Sequence, residues 1–168
     1  MLKNHDLSVR AFYKRMFRMP TFNDLYYTDM GNAFLKPEYA EQFNVGLKYT
    51  RNFEKSPFMR MLDVSVDAYY NKITDKIIAY PKGQQFRWTM LNLGEVEIKG
   101  VDAVLNTQFS LGKLEVTTKF QYTYQKAIDI TDPADTYYRD QIPYIPWHSG
   151  SAILALFYKG WGLNYSFI

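Results

Sequence analysis

From residue 59 onward the chain sets Leu62, Val64, Val66, Ala68 and Tyr70 on one parity and Asp63, Ser65, Asp67, Tyr69 and Asn71 on the other. A period of two marks a strand with one apolar and one polar face. It also excludes an amphipathic helix, because residues three and four apart fall on opposite parities. The same pattern returns with Leu114, Val116, Thr118, Phe120, Tyr122 and Tyr124 against Glu115, Thr117, Lys119, Gln121, Thr123 and Gln125. These runs are long for strands, since those of soluble domains average about 5–6 residues.

Further strands are expected over residues 8–13, 40–52, 95–111, 148–158 and 161–168, for about seven in all. Glu54-Lys55-Ser56-Pro57, Gly112-Lys113 and Lys159-Gly160 are connections of hairpin length, with Gly or Pro where the backbone must reverse. Long polar linkers are expected over residues 15–39, 81–94 and 126–147, so short and long connections alternate. The fold class is therefore all-β: an antiparallel up-and-down meander with tight turns on one side and elaborated loops on the other. Outer-membrane barrels have this asymmetry, with short periplasmic turns and longer extracellular loops.

Composition supports a membrane barrel. There are 15 Tyr and 12 Phe, yet mean hydropathy is only −0.34, and no apolar run approaches the ~20 residues of a membrane helix. Strands that alternate lipid-facing and lumen-facing residues keep an ordinary mean while accumulating interfacial aromatics. Tyr49, Phe53, Phe58, Tyr69, Tyr70, Tyr122, Tyr124, Tyr158 and Trp161 all fall near strand ends, where such girdles lie. Pro37, Pro81, Pro133, Pro143 and Pro146 are read as loop or strand-entry positions, where a missing N–H is tolerated. A net charge of +3, with cations scattered among acids, gives no basic stripe and no nucleic-acid partner. The absence of cysteine excludes disulfides and thiolate chemistry. Residues 1–17 carry charges throughout and no apolar segment of secretion-signal type.

One ordered set of motifs is more specific. Phe17-Arg18-Met19-Pro20-Thr21-Phe22-Asn23-Asp24-Leu25-Tyr26-Tyr27, followed by Gly31-Asn32 and Leu35-Lys36-Pro37-Glu38, closely resembles a stretch of TonB-dependent outer-membrane receptors. Ala68-Tyr69-Tyr70-Asn71-Lys72-Ile73 is similar to a strand of that family. Asn92-Leu93-Gly94 with Ile98-Lys99-Gly100-Val101-Asp102 resembles a later element, with Asp102 in place of its usual Glu. Ile142-Pro143-Tyr144-Ile145-Pro146-Trp147-His148 resembles a strand entry. The resemblance implies a ligand-gated importer of the Gram-negative outer membrane: a barrel of twenty-two strands filled by a plug, energised through TonB, and taking up an iron chelate, haem, cobalamin or glycan. On that comparison residues 1–168 are expected to form part of the barrel domain without the plug. They would be an open curved sheet in contact with outer-membrane lipid, meeting TonB only through the missing N-terminal part.

Site expectations follow. Phe86, Arg87 and Trp88 in one expected loop, and Tyr137, Tyr138 and Arg139 in the next, are candidate ligand anchors, since exposed aromatic and Arg side chains bind well; the bland reading is packing against neighbouring loops. The motif residues Phe17, Arg18, Pro20, Thr21, Phe22, Asn23, Asp24, Leu25, Tyr26, Asn32, Leu35, Lys36, Pro37, Glu38 and Gly100 are read as structural, with Thr21, Asn23 and Asp24 in turn or cap roles. His5 and His148 are read as tail and strand-entry residues rather than metal ligands. Asp129, Asp132, Asp135 and Asp140 are read as a solvated loop, because no EF-hand order or loop glycine accompanies them. Asp63, Asp67 and Glu115 fall on the polar parity and are read as lumen-facing rather than catalytic. Neither an enzyme activity nor a cofactor or metal is expected. The competing readings are a self-contained small barrel or lipocalin-like binder, which needs a self-closing strand set, and a barrel enzyme, which needs a Ser/His/Asp constellation on one parity.

Overall fold

The structure, a computed structural model, describes residues 5–82, 87–143 and 145–168. It contains one seven-stranded antiparallel sheet whose order follows the sequence, β1-β2-β3-β4-β5-β6-β7. The strands are β1 (His5–Arg18), β2 (Glu38–Asn52), β3 (Met59–Lys82), β4 (Arg87–Leu111), β5 (Leu114–Asp129), β6 (His148–Tyr158) and β7 (Trp161–Phe167). The sheet is open: β1 and β7 each pair on one side only. This is the meander expected from the sequence, and among the described residues no helix is long and apolar enough to cross a membrane.

The tight turns carry their chemistry locally. Lys159 and Gly160 both have positive φ, as a two-residue type I′ hairpin requires. Gly112 alone is positive in the next hairpin, where Leu111 pairs with Leu114, the pattern of a type II′ turn.

Register follows the parities. On the apolar face Leu7, Tyr49 and Val64 align, as do Val9, Leu47 and Val66, and Ala11, Val45 and Ala68. Leu105 and Phe120 continue that face across β4 and β5. Many of these side chains are open to the surroundings, Val9 at 70% and Val45 at 57%. A soluble domain buries such a surface. Toward the loop side the face ends in a belt: Tyr13 stands 4.6 Å from Phe43 between ring centroids, and Phe43 stands 6.2 Å from Tyr70. Tyr122, Tyr124 and His148 continue the belt, the His148 ring lying 5.2 Å from that of Tyr124. Beyond it come ion pairs on the same face, Arg15 to Glu41 at 3.1 Å, Lys72 to Glu95 at 2.8 Å and Lys99 to Glu97 at 2.8 Å.

The opposite face is polar and internally bonded. Asp63 accepts from Thr50 at 2.8 Å and Asn106 at 2.9 Å, with Lys48 Nζ at 3.1 Å. Asp67 takes a two-pronged contact from Arg10, Nε to Oδ1 at 2.9 Å and Nη2 to Oδ2 at 2.6 Å. The arm of Arg10 crosses β2 at Gly46, where a Cβ would collide with both partners.

Three expected loop boundaries are corrected. The linker expected over residues 81–94 is mostly strand: β3 and β4 run on to Lys82 and from Arg87. β2 stops pairing with β3 at Thr74, and β5 stops pairing with β4 at Val96. Residues 75–82 and 87–95 therefore project as a two-stranded arm of about 25 Å at ~3.3 Å per residue. Pro81 sits inside β3 opposite Trp88, on an arm where β3 has no neighbour but β4, so its missing N–H breaks no second ladder. Likewise β1 reaches Arg18 and β5 reaches Asp129. Outside the membrane both faces of a strand meet water or loops, so the alternation that signals a strand fades.

Candidate functional site

The loop side gathers two connections onto the projecting arm. The first, residues 19–37, opens with a one-turn helix α1 (Phe22–Tyr26). Thr21 is its N-cap: Asp24 N donates to Thr21 Oγ1 at 3.2 Å, and Thr21 N donates to Asp24 Oδ2 at 2.9 Å, a reciprocal capping box. Asn23 contributes its carbonyl to Tyr27 N, and the rings of Phe22 and Tyr26 meet one turn apart, tilted at 52° with centroids 5.1 Å apart, while both remain exposed. After α1 the chain doubles back onto β4. Met90 N donates to Met30 O, and Asn32 Nδ2 donates to Met90 O. Asn92 fastens Lys36 from both sides, accepting from its N–H at 2.8 Å and donating to its carbonyl at 3.0 Å, and also donates to Asp75 O at 2.7 Å. Leu35 is buried beside this clamp. Glu38, next to Pro37, accepts from Ile77 N and pairs with Arg18 at 3.5 Å. Phe17 lies exposed at the strand edge against Tyr39.

The second connection, residues 130–147, folds onto the polar face. Ile142 N donates to Ala127 O, and Asp129 N to Asp140 O, extending the β5 ladder. This brings Ile142 onto Ile73, Val96, Ile98 and Ala127, the main cluster of buried apolar residues among those described, with Ala40, Tyr69, Leu93 and Ile145 around it. The expected acidic loop is a run of local turns: Asp129 accepts from Thr131 N, Asp132 from Ala134 N and Asp135 from Tyr137 N. Among the described residues no three His, Asp or Glu side chains converge as a metal site.

Between arm and loop lies a cleft of about 420 Å³. Ile78, Tyr80, Leu91 and Leu93 form its arm wall; Tyr137, Ile142 and Pro143 form the loop wall, with Asp129, Asp135 and Asp140 at its rim. Of the six candidate anchors, Tyr137 reaches this cleft. Tyr138 is half-buried beside it, and Arg139 holds a left-handed backbone (φ 69°) with its N–H on Asp129 O. Arg87 and Trp88 start β4 at the arm's tip and do not line the cleft. Phe86 lies outside the described residues. Leu91 and Leu93 fall within the linker expected over residues 81–94, and Ile78 and Tyr80 just before it carry no motif that marks them; the alternation of Thr89, Leu91 and Leu93 is the signal the sequence offers for the arm.

Just beyond the aromatic belt the charges are tuned locally. The Lys99 ammonium, 2.8 Å away, holds the Glu97 carboxyl below the usual carboxylate range, with the Tyr70 hydroxyl also donating to it. The Glu95 carboxylate raises the Lys72 ammonium above its ordinary value.

A lipid-exposed apolar face, an aromatic belt, a hydrogen-bonded polar face, and tight turns opposite built-up loops together define the wall of an outer-membrane β-barrel. The family model described as TonB dependent receptor-like, beta-barrel matches residues 3–168, and the chain belongs to that family. It is a protein of the Gram-negative outer membrane, in a family of transport receptors. It is 33% identical over 124 residues to the Vitamin B12 transporter BtuB of Photobacterium profundum, covering 70% of this chain and 18% of that protein. It is 32% identical over 99 residues to the Vitamin B12 transporter BtuB of Vibrio vulnificus, covering 59% of this chain and 14% of that protein. The chain thus spans less than a fifth of the length of these relatives.

Proposed function

We propose that these residues form one part of the wall and outer loops of a receptor for energised uptake of a corrinoid of the cobalamin class. The plug and the contact with TonB would lie elsewhere in the receptor, and no catalytic step is assigned to this segment. What carries the ligand reading is the 33% identity over 124 residues to a vitamin B12 transporter. The cleft between arm and loop is chemically compatible with it. Its apolar walls suit a broad, weakly polar ring system, and the carboxylates at its rim can accept from peripheral amide N–H groups. Ligand contact is assigned first to Tyr137, with Tyr80 across the cleft.

The test uses the protein as the bacterium makes it, extracted from outer membranes in mild detergent. Cyanocobalamin, a ferric siderophore and haemin are each titrated by intrinsic fluorescence. Saturable binding of cyanocobalamin alone is expected. Binding of the siderophore or haemin without cyanocobalamin overturns the ligand reading and leaves the barrel assignment standing.

A further inference from the structure

The arm is a wall with two sides, and only one of them lines the cleft. Leu91 and Leu93, with Ile78 and Tyr80, face residues 130–147 there. The alternate residues of β4 serve the first connection instead. Met90 N donates to Met30 O at 2.9 Å, and Met90 O accepts from Asn32 Nδ2 at 3.1 Å. The Asn92 side chain grips both backbone groups of Lys36. Ile77, the partner of Asn92 in the ladder, is buried and gives its N–H to Glu38 at 3.0 Å.

A two-stranded hairpin is at best marginally stable in water, and this one leaves the sheet through an irregular foot. The β3–β4 ladder passes from Thr74 opposite Glu95 to Lys76 opposite Leu93 and leaves out Asp75, whose φ is 53°. Residues 130–147 fasten that foot, where Ile130 N donates to Glu95 O and Thr131 Oγ1 accepts from Glu95 N. The first connection takes hold higher, at Asn92 and Met90, beside the two leucines that face the cleft. The position of the arm wall therefore depends on a segment, residues 30–38, that supplies none of the described residues lining the cleft.

We propose that residues 30–38 brace the arm from behind and so set the affinity of the cleft without touching the ligand, with Asn92 as the positioning residue that joins the two. The proposal rests on the cleft being the ligand site. It gives a task to the Gly31-Asn32 and Leu35-Lys36-Pro37-Glu38 motifs, whose residues hold the arm rather than the ligand. Linkage makes the effect two-way: if the brace tightens ligand binding by some factor, bound ligand tightens the brace by the same factor.

Cyanocobalamin is titrated by intrinsic fluorescence into the receptor extracted from outer membranes, as wild type and as Asn92→Ala, with Tyr137→Ala as the control for the site. Asn92→Ala is expected to bind about tenfold more weakly, within the span typical of coupling between sites, at an unchanged urea midpoint. Asn32→Ala, on the other side of the contact, should weaken binding in the same direction. The wild type supplies the reciprocal measurement, which needs no variant to fold: saturation with cyanocobalamin should slow hydrogen exchange at the Lys36 N–H by a similar factor. Weakened binding by Tyr137→Ala together with wild-type affinity in Asn92→Ala overturns the brace and leaves the cleft standing. Wild-type binding by Tyr137→Ala overturns cleft and brace together, and exchange at Lys36 that ignores saturating cyanocobalamin overturns the brace.

Discussion

The phenol of Tyr69 lies across Gly100, its partner in the β3–β4 ladder, and occupies the space a side chain there would need. A Cβ on residue 100 would overlap the Tyr69 ring and would also stand 2.7 Å from the carbonyl oxygen of Tyr124. The ring can swing away, but the carbonyl belongs to the next strand and cannot. Gly100→Ala is therefore expected to destabilise the folded barrel by about 1–3 kcal/mol, as overpacking does. Adding Tyr69→Ala should recover only part of that loss. The urea midpoint of Trp fluorescence in detergent measures both; full recovery in the double variant would show that the Tyr124 backbone is not a constraint.

Asn92 holds three backbone groups from two segments, the N–H and carbonyl of Lys36 and the carbonyl of Asp75. Asp75 has φ 53°, a left-handed conformation uncommon for a residue other than glycine, at the point where the arm leaves the sheet. Asn92→Ala removes the donor and the acceptor that make these three bonds, at a cost of about 1–3 kcal/mol to local order. Hydrogen exchange followed by mass spectrometry should then show faster exchange at Lys36, with the β4–β5 ladder unchanged. Unchanged protection at Lys36 would mean that Leu35 alone seats the loop.

The membrane part of this fold was legible because lipid and lumen impose opposite demands on alternate residues. Val64, Val66 and Ala68 against Asp63, Ser65 and Asp67 admit one reading. The arm was not legible, since Ile77 and Ile78 are both apolar and Pro81 reads as a loop signal. Only the chain's height above the sheet, where β2 has ended, makes a proline acceptable there. The candidate site was partly legible for the same reason. Tyr137 was marked by type, but its opposite wall of Ile78, Tyr80, Leu91 and Leu93 needed the arm. Gly100 was singled out by motif, yet the aromatic ring that requires it is visible only in the register.

Glu97 supplies a prediction in pH. Its carboxyl is held below the ordinary glutamate value of 4.5 by the hydrogen bond from Lys99 and, secondarily, from Tyr70. A depressed value means that the pair contributes at neutral pH, and that the contribution fades as pH falls below the unfolded value and through the folded one. Carbon-13 titration of the Glu97 carboxyl should give a midpoint below 4.5, and Lys99→Gln should move it upward. The opposite sign holds for Lys72, whose raised value keeps its pair with Glu95 intact until strongly alkaline pH. A Glu97 midpoint at or above the ordinary value would remove the Lys99 contact from solution.

Tyr137 is the side chain on which the proposed ligand contact can be tested. It is 68% exposed, and its N–H is fixed by Asp135 at 3.0 Å, so the loop presents the ring with its backbone already ordered. Truncating a pre-positioned aromatic removes contact area without unfolding anything beneath it, because the buried cluster under the loop is made by Ile142. Tyr137→Ala should therefore weaken ligand binding by roughly tenfold or more, the scale of an interface anchor worth above ~1 kcal/mol, while the urea midpoint stays within error. Ile142→Ala is the contrast. It opens the buried cluster, costs about 2–5 kcal/mol locally, and should loosen residues 139–142 in hydrogen exchange as well as weakening binding. If Tyr137→Ala binds like the wild type while Ile142→Ala does not, the loop acts as a scaffold and the contact surface lies elsewhere on the receptor.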